Sequence, residues 1–255
     1  MATALIIMNK EVAVMASDRD FSIFKCSENS EAAFGVMTDP TSFLPWDDII
    51  RSFRLNHPIR ECGSFYDYCS LLKQHLKTCK DELQPCDEYF YVAGYDSNEI
   101  FPICTRYQLI FDGTDVKILE DFEASIDNKQ TTYLDHLGHL DKVHTFLLGV
   151  NDDMGRDIEE IFISLAHGKE EKDTFRQVYE KSVKKAQREN KQKLIMAIDA
   201  FDKEDIVYMA EDLINAQGQQ DHLADPTQPL NHTREIALIA RAEGFVWIKH
   251  SVFGA

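Results

Sequence analysis

The middle of the chain carries a dense group of side chains that could bind a metal ion. On a helix, histidines at i and i+3 can direct two imidazoles toward one ion. Leu137 and Leu140 mark the buried stripe of a helix predicted around residues 133–148, which places the histidines on its solvated side. We therefore predict no metal site and no cofactor from this group, which comprises Asp135, His136, His139, Asp141 and His144.

The cysteines are the second set of residues with chemical potential. The four between residues 62 and 86 fit none of the short paired spacings of structural zinc sites. Cys26 has no neighbouring base in the sequence that would activate it as a nucleophile. The first residues lack the basic start and long apolar core of a secretion signal, so we expect reduced, buried thiols in a cytoplasmic protein. The set is Cys26, Cys62, Cys69, Cys79, Cys86 and Cys104.

Strands and then helices are predicted in the first third of the chain. The segments TALIIM, EVAVMAS, DFSIFK and AAFGVM have the composition and period of short strands. Pro45 suits the first turn of a helix. Apolar residues then recur with the helical period at Trp46, Ile49, Ile50 and Phe53. Ser64 is the expected N-cap of a second helix.

The remaining chain is predicted to return to strands, then to helices, then to strands. EYFYVAGYD, EIFPICTRYQLIFDG and DVKILED indicate strands, with a hairpin turn at Asp112-Gly113. Helices are expected around residues 133–148, 157–166, 174–198 and 202–217, and Gly218 is a plausible stop signal. The C-terminal REIALIARAEGFVWIKHS predicts two strands that are covered on both faces. We interpret residues 1–255 as one domain.

Composition argues against several classes of partner. The chain has 44 acidic and 27 basic residues, for a formal net charge of -17, so DNA or an anionic membrane surface would repel it. Its apolar runs fall short of the roughly 20 residues that a membrane-spanning helix needs. We expect a protein that binds neither nucleic acid nor membrane.

Short motifs in a fixed order extend over most of the chain. The start ATALIIMNKEVAVMASDRDF combines two strands, a polar turn at Asn9-Lys10 and an ending at residues 16–19. Later come AFGVMTDPTSFLPWDDIIRSFR, YVAGYDSNEIFP, VHTFLLGVNDD, VYMAEDLINA and GFVWIKHS. In this order they resemble the proteasome-subunit branch of the N-terminal-nucleophile (Ntn) hydrolases, and more closely uncharacterised bacterial relatives of those subunits. The resemblance implies an α/β (α+β) fold: a four-layer αββα sandwich in which helices flank two antiparallel sheets.

The resemblance also implies a hydrolytic site at the N-terminus. In that family the first mature residue attacks a carbonyl with its side chain while its own α-amine acts as the base. A lysine and an acidic residue support the amine, and backbone N–H groups stabilise the oxyanion. The nucleophile position falls at Ala2, the acidic position at Asp18, and the lysine position at Ser22 or Lys25. Alanine cannot form an acyl intermediate, so we expect the chain as written to be inactive.

Three explanations of this pattern stay open. Ala2 is either an engineered replacement in an active enzyme or the natural residue of a non-catalytic member. The departures at Ser22 and at Asn231-His232, where the relatives have a glycine-rich turn, favour a natural residue. Alternatively, removal of Met1 and Ala2 would leave Thr3 N-terminal with a hydroxyl and an amine. Neighbouring residues on a strand point to opposite faces, which argues against Thr3 as the nucleophile.

The sequence therefore supports two functions. One is a threonine-type peptidase or amidohydrolase, active if residue 2 is natively Thr, Ser or Cys. The other is a non-catalytic binding or assembly protein that uses the sandwich as an oligomeric scaffold. In both, we expect a peptide or protein as substrate or partner and a homo-oligomeric state.

Overall fold

The computed structural model describes residues 2–20, 22–28, 32–57, 64–95, 99–138, 160–161, 163–164, 168–227, 230 and 232–250. The chain divides into two compact units. One consists of residues 1–139 and 201–255, and the other of residues 140–200. Our interpretation of residues 1–255 as one domain remains a prediction.

Sheet A is antiparallel and has the spatial order β10-β9-β2-β1-β8. Every residue of β1, β2 and β9 is buried. The two C-terminal strands were predicted to be covered on both faces, which is confirmed for β9 but wrong for β10, where Ile248 and Lys249 are exposed. The strand bounds are β1 Thr3–Met8, β2 Ala13–Ser17, β8 Tyr133–Gly138, β9 Glu235–Ala240 and β10 Gly244–Lys249.

Sheet B is also antiparallel, and its order β3-β4-β5-β6-β7 follows the chain. Its last two strands are joined at the predicted Asp112-Gly113 turn, where Gly113 has a φ of 94° and Asp112 accepts from the backbone of Thr114. The strand bounds are β3 Ile23–Glu28, β4 Ala33–Thr38, β5 Cys86–Tyr95, β6 Ile103–Phe111 and β7 Val116–Ser125.

Four helices lie within the described ranges: α1 Trp46–Asn56, α2 Phe65–Thr78, α3 Lys169–Ala200 and α4 Lys203–Ala224. Ser64 caps α2 as predicted, because its side chain accepts from the backbone N–H of Asp67. Asp202 caps α4 in the same way through Asp205. A short 3₁₀ turn at Lys80–Glu82 follows α2.

The first unit is a four-layer sandwich. Helices α1 and α2 contact sheet B, sheet B faces sheet A, and α4 contacts β1 and β2 on the other side of sheet A. One apolar cluster, including Phe34, Phe53 and Tyr68, fills the space between sheet B and its helices. A second, including Met15 and Phe245, fills the space between the sheets. The αββα architecture expected from the sequence is confirmed.

Two helix predictions are wrong. Residues 133–138 form strand β8 instead of the start of a helix, because they pair with β1 from Thr3↔Gly138 to Met8↔Tyr133. Tertiary pairing has overridden a helical period that extends over few residues. His136 therefore lies on a strand, while His139, Asp141 and His144 lie outside the described residues. Gly218 does not end its helix: it is buried inside α4, which continues to Ala224.

Candidate site at the start of the first strand

The start of β1 brings together two of the residues singled out in the sequence. The backbone N–H of Thr3 donates to Asp18 Oδ1 at 2.9 Å, and the Asp18 N–H donates to the Thr3 carbonyl at 3.1 Å. These two bonds extend the β1–β2 ladder, in which Ala4 is paired with Ser17. Asp18 thus ends the pairing of the first two strands.

Ala2 is enclosed, with only 1% of its surface exposed. Gly138 of β8 closes one side, because a Cβ built on this glycine would lie 2.2 Å from the Ala2 carbonyl oxygen. Gly138 also has a φ of +77°, in the left-handed region that favours glycine. Residue 2 therefore offers neither a nucleophilic atom nor open space beside it.

The Asp18 carboxyl is buried, and its environment favours the protonated form. Burial raises the pKa of Asp18 above its usual value, against the opposing effects of the Thr3 N–H and of the nearby Arg19 charge. Its Oδ1 atom already accepts a backbone hydrogen bond. The geometry fits a carboxyl that stabilises the start of β1.

Lys25 lies in different surroundings from Asp18. The β3–β4 register shifts between Lys25 and Ser27, and the Lys25 Nζ atom lies 5.9 Å from the centre of the Phe245 ring. Lys25 lines a cavity with residues of α1 and β10, and Asp18 is not among the described residues of that lining. The assignment of the lysine role to Lys25 or Ser22 stays a prediction.

The sequence analysis missed a buried carboxylate beside Ser22. Glu235, at the start of β9, is fully buried and accepts from the backbone N–H groups of Ser22 at 3.1 Å and Ile23 at 2.9 Å. His250 Nδ1 lies 3.3 Å from its other oxygen. The one signal in the sequence was an acidic residue at the start of an otherwise apolar strand, EIALIA. This carboxylate joins β9 of sheet A to the start of β3 in sheet B.

Four of the five described cysteines are buried as expected, whereas Cys86 is half-buried. Cys26, Cys69, Cys79, Cys86 and Cys104 are free. Burial is the main cause that raises the thiol pKa of Cys26 and of Cys69 to about 12, so both are protonated at neutral pH. Cys62 lies outside the described residues.

The described part of the chain contains neither a metal-binding cluster nor a membrane-spanning helix. There, no group of three or more His, Cys, Asp or Glu side chains has the geometry to hold a metal ion. Among the same residues, no helix has both the length and the hydropathy required to cross a bilayer.

No protein-family model and no curated protein matches the chain. Several solved structures do. Anbu (ancestral beta-subunit) from Yersinia bercovieri is 9% identical over 98% of this chain and 88% of that chain, with a TM-score of 0.49. Anbu from Hyphomicrobium sp. strain MC1 is 10% identical over 54% of this chain and 62% of that chain, with a TM-score of 0.36. An Anbu (Gly-1) mutant from that strain is 9% identical over 60% of this chain and 68% of that chain, with a TM-score of 0.40.

These comparisons correct the family expectation. The expected resemblance to the proteasome-subunit branch, and more closely to uncharacterised bacterial relatives, is wrong, because the matching structures are Anbu proteins and no family model matches. The motifs behind that expectation are short, and their order alone does not identify a family. At these identities and TM-scores the likeness gives this chain neither a family nor an activity. The function must be argued from its own residues.

Proposed function

We propose that this chain is a non-catalytic protein that functions by associating with copies of itself through α3. The observation that carries this proposal is the exposure of that helix. α3 spans 32 residues, and Ile198 is its one fully buried residue. Helices in water take most of their stability from packing an apolar face. A long helix with so little burial would gain stability from a second copy.

One exposed face of α3 matches itself when two helices run antiparallel. Val178 and Met196 are 59% and 72% exposed. They are 18 residues apart, which is five helical turns, so they point in the same direction. Both lie nine residues from position 187, so an antiparallel pair centred there sets Val178 of one copy against Met196 of the other. A two-fold interface requires this kind of self-complementarity.

Charges on the same face obey the same symmetry. Lys185 and Glu189 lie between the two apolar residues, both strongly exposed, and their charged atoms are 3.8 Å apart within the helix. About position 187 they are also equidistant, so each lysine would face the glutamate of the second copy.

The start of β1 supports the non-catalytic part of the proposal. Residue 2 has no side-chain oxygen or sulfur, and it is enclosed by β8. Asp18 is engaged by the backbone of Thr3. Acyl transfer at residue 2 would need both a nucleophile and room for a substrate carbonyl.

The test is light scattering after size-exclusion chromatography on three double variants. Val178→Lys with Met196→Lys sets like charges against each other and should abolish association. Val178→Glu with Met196→Lys sets opposite charges together in the antiparallel pair and should retain it. Gln130→Lys with Gln219→Lys adds the same charge as the first variant at exposed positions elsewhere, and should behave as wild type. Equal masses for the two α3 variants would refute this interface.

A second candidate is a hydrolase in which Thr3 becomes the N-terminal residue. The observation that favours it is the 2.9 Å contact of the Thr3 nitrogen with Asp18 Oδ1, which would orient a freed amine. The same carboxylate would stabilise the protonated amine and so weaken it as a base. Intact-mass analysis with an electrophile directed at N-terminal threonine tests this candidate on the wild type, Ala2→Thr and a form beginning at Thr3. An adduct on either threonine-initiated form would establish a working nucleophile, whereas its absence from both agrees with the proposal.

A further inference from the structure

A cavity of about 210 Å³ opens where β3, α1 and β10 meet. Its described lining includes three basic side chains, Lys25, Arg51 and Arg54, and one carboxylate, Asp47. Arg51 is engaged by Asp47 at 2.6 Å and by Asp48 at 3.7 Å. Three basic side chains thus line one cavity on a chain whose net charge is -17, and the carboxylates of Asp48 and Glu235 lie close behind the lining, against Arg51 and His250.

Lys25 and Arg54 both line this cavity, and the charge of Arg54 acts on Lys25. Burial, and next the charge of Arg54, lower the pKa of Lys25 below its usual value. Both effects disfavour the charged ammonium, and an anion between the two side chains would oppose both. A dianion suits such a pair, because an ammonium and a guanidinium both donate charge-assisted hydrogen bonds to phosphate oxygens.

Two aromatic side chains of the C-terminal segment also line the cavity. The rings of Trp247 and His250 stack with centroids 4.2 Å apart and an angle of 21° between their planes. Glu235 lies 3.3 Å from His250 Nδ1 and itself accepts from the backbone N–H groups of Ser22 and Ile23. Ile50 adds an apolar side chain to this lining. An organic group could therefore pack here beside a charged one.

We propose that this cavity binds a small organic phosphate, with the phosphoryl group between Lys25 and Arg54 and the organic group against Trp247. The assignment is independent of self-association through α3, because no lining residue belongs to that helix. It goes beyond the proposed function by giving the first unit a small-molecule ligand.

Tryptophan fluorescence provides a direct titration, because Trp247 lines the cavity while Trp46 is buried in the core. Phenyl phosphate should give a saturable change and bind at least tenfold more tightly than inorganic phosphate, benzoate or benzyl alcohol. The Trp247→Phe variant should lose the signal. Equal binding of phenyl phosphate and benzyl alcohol would assign the site to apolar ligands and overturn the proposal. Equal binding of inorganic and phenyl phosphate would overturn the assignment to an organic phosphate.

Charge variants separate recognition from folding. Arg54→Gln should weaken the binding of phenyl phosphate at least tenfold. Arg54→Lys keeps the positive charge and should lose much less affinity. Lys129→Gln, at an exposed turn, is the control for loss of one positive charge. Binding should also raise the pKa of Lys25, which NMR of the labelled ammonium can follow. An Arg54→Gln variant that remains folded and binds as the wild type does would refute the site.

Discussion

Asp18 permits a test that separates a structural carboxyl from a catalytic one. Replacement by alanine leaves the Thr3 N–H, which is buried, without its acceptor at 2.9 Å. A buried donor that loses its partner costs about 1–3 kcal/mol. Asparagine keeps an Oδ1 acceptor and removes the buried charge. We therefore expect Asp18→Ala to lower the free energy of unfolding by about 1–3 kcal/mol relative to Asp18→Asn, measured by urea denaturation.

The comparison of wild type with Asp18→Asn also has a defined pH dependence. Burial raises the pKa of Asp18 in the folded state above the usual 3.8. The folded state therefore holds its proton more tightly than the unfolded state does, and the resulting stabilisation is present in full below pH 3.8. It is lost as the pH rises through the folded-state pKa. The wild type should thus lose stability relative to Asp18→Asn as the pH is raised across this range.

The refuting results are specific. If Asp18→Asn at neutral pH is as unstable as Asp18→Ala, the negative charge and not the hydrogen bond to Thr3 stabilises the site. If the wild type gains stability over Asp18→Asn as the pH rises, the folded state prefers the carboxylate form, and burial does not raise the pKa of Asp18.

Two further predictions concern contacts made by β8. Gly138→Ala introduces a Cβ at a φ of +77° and 2.2 Å from the Ala2 oxygen, so we expect at least the roughly 1–3 kcal/mol that such backbone strain costs. Thermal unfolding measures this loss of stability. An unchanged midpoint would show that β8 and the start of β1 move apart to accept the Cβ without cost. Asp135 accepts from Tyr91, from Tyr133 at 2.9 Å and from Arg106 at 2.8 Å, which ties sheet A to sheet B. Asp135→Ala should lower the free energy of unfolding by about 1–3 kcal/mol, because the buried Tyr91 hydroxyl loses its acceptor. A urea denaturation curve identical to that of the wild type would contradict the role of Asp135 in joining the sheets.

Much of the fold could be predicted because local patterns and tertiary structure agree. The continuous apolar run of β9 indicated a strand covered on both faces, and β9 is buried throughout, whereas β10, predicted in the same way, is exposed at its last two residues. The apolar spacing in α1 and the cap at Ser64 indicated helices that the structure contains. A segment can be predicted from its sequence when its local preference and its final packing favour the same structure.

The misses are residues whose roles depend on distant partners. Residues 133–138 became a strand because β1 offers them a free edge, which a short helical period cannot reveal. Glu235 and His250 stand apart from Ser22 by more than 200 residues, yet they meet at one carboxylate.

The most direct test of the central claim is sedimentation velocity of the unmodified protein over a concentration series at physiological salt. Self-association through α3 predicts that the measured molecular mass rises from 29.3 kDa toward twice that value as the protein concentration rises. A single 29.3 kDa species at every concentration would contradict function by self-association.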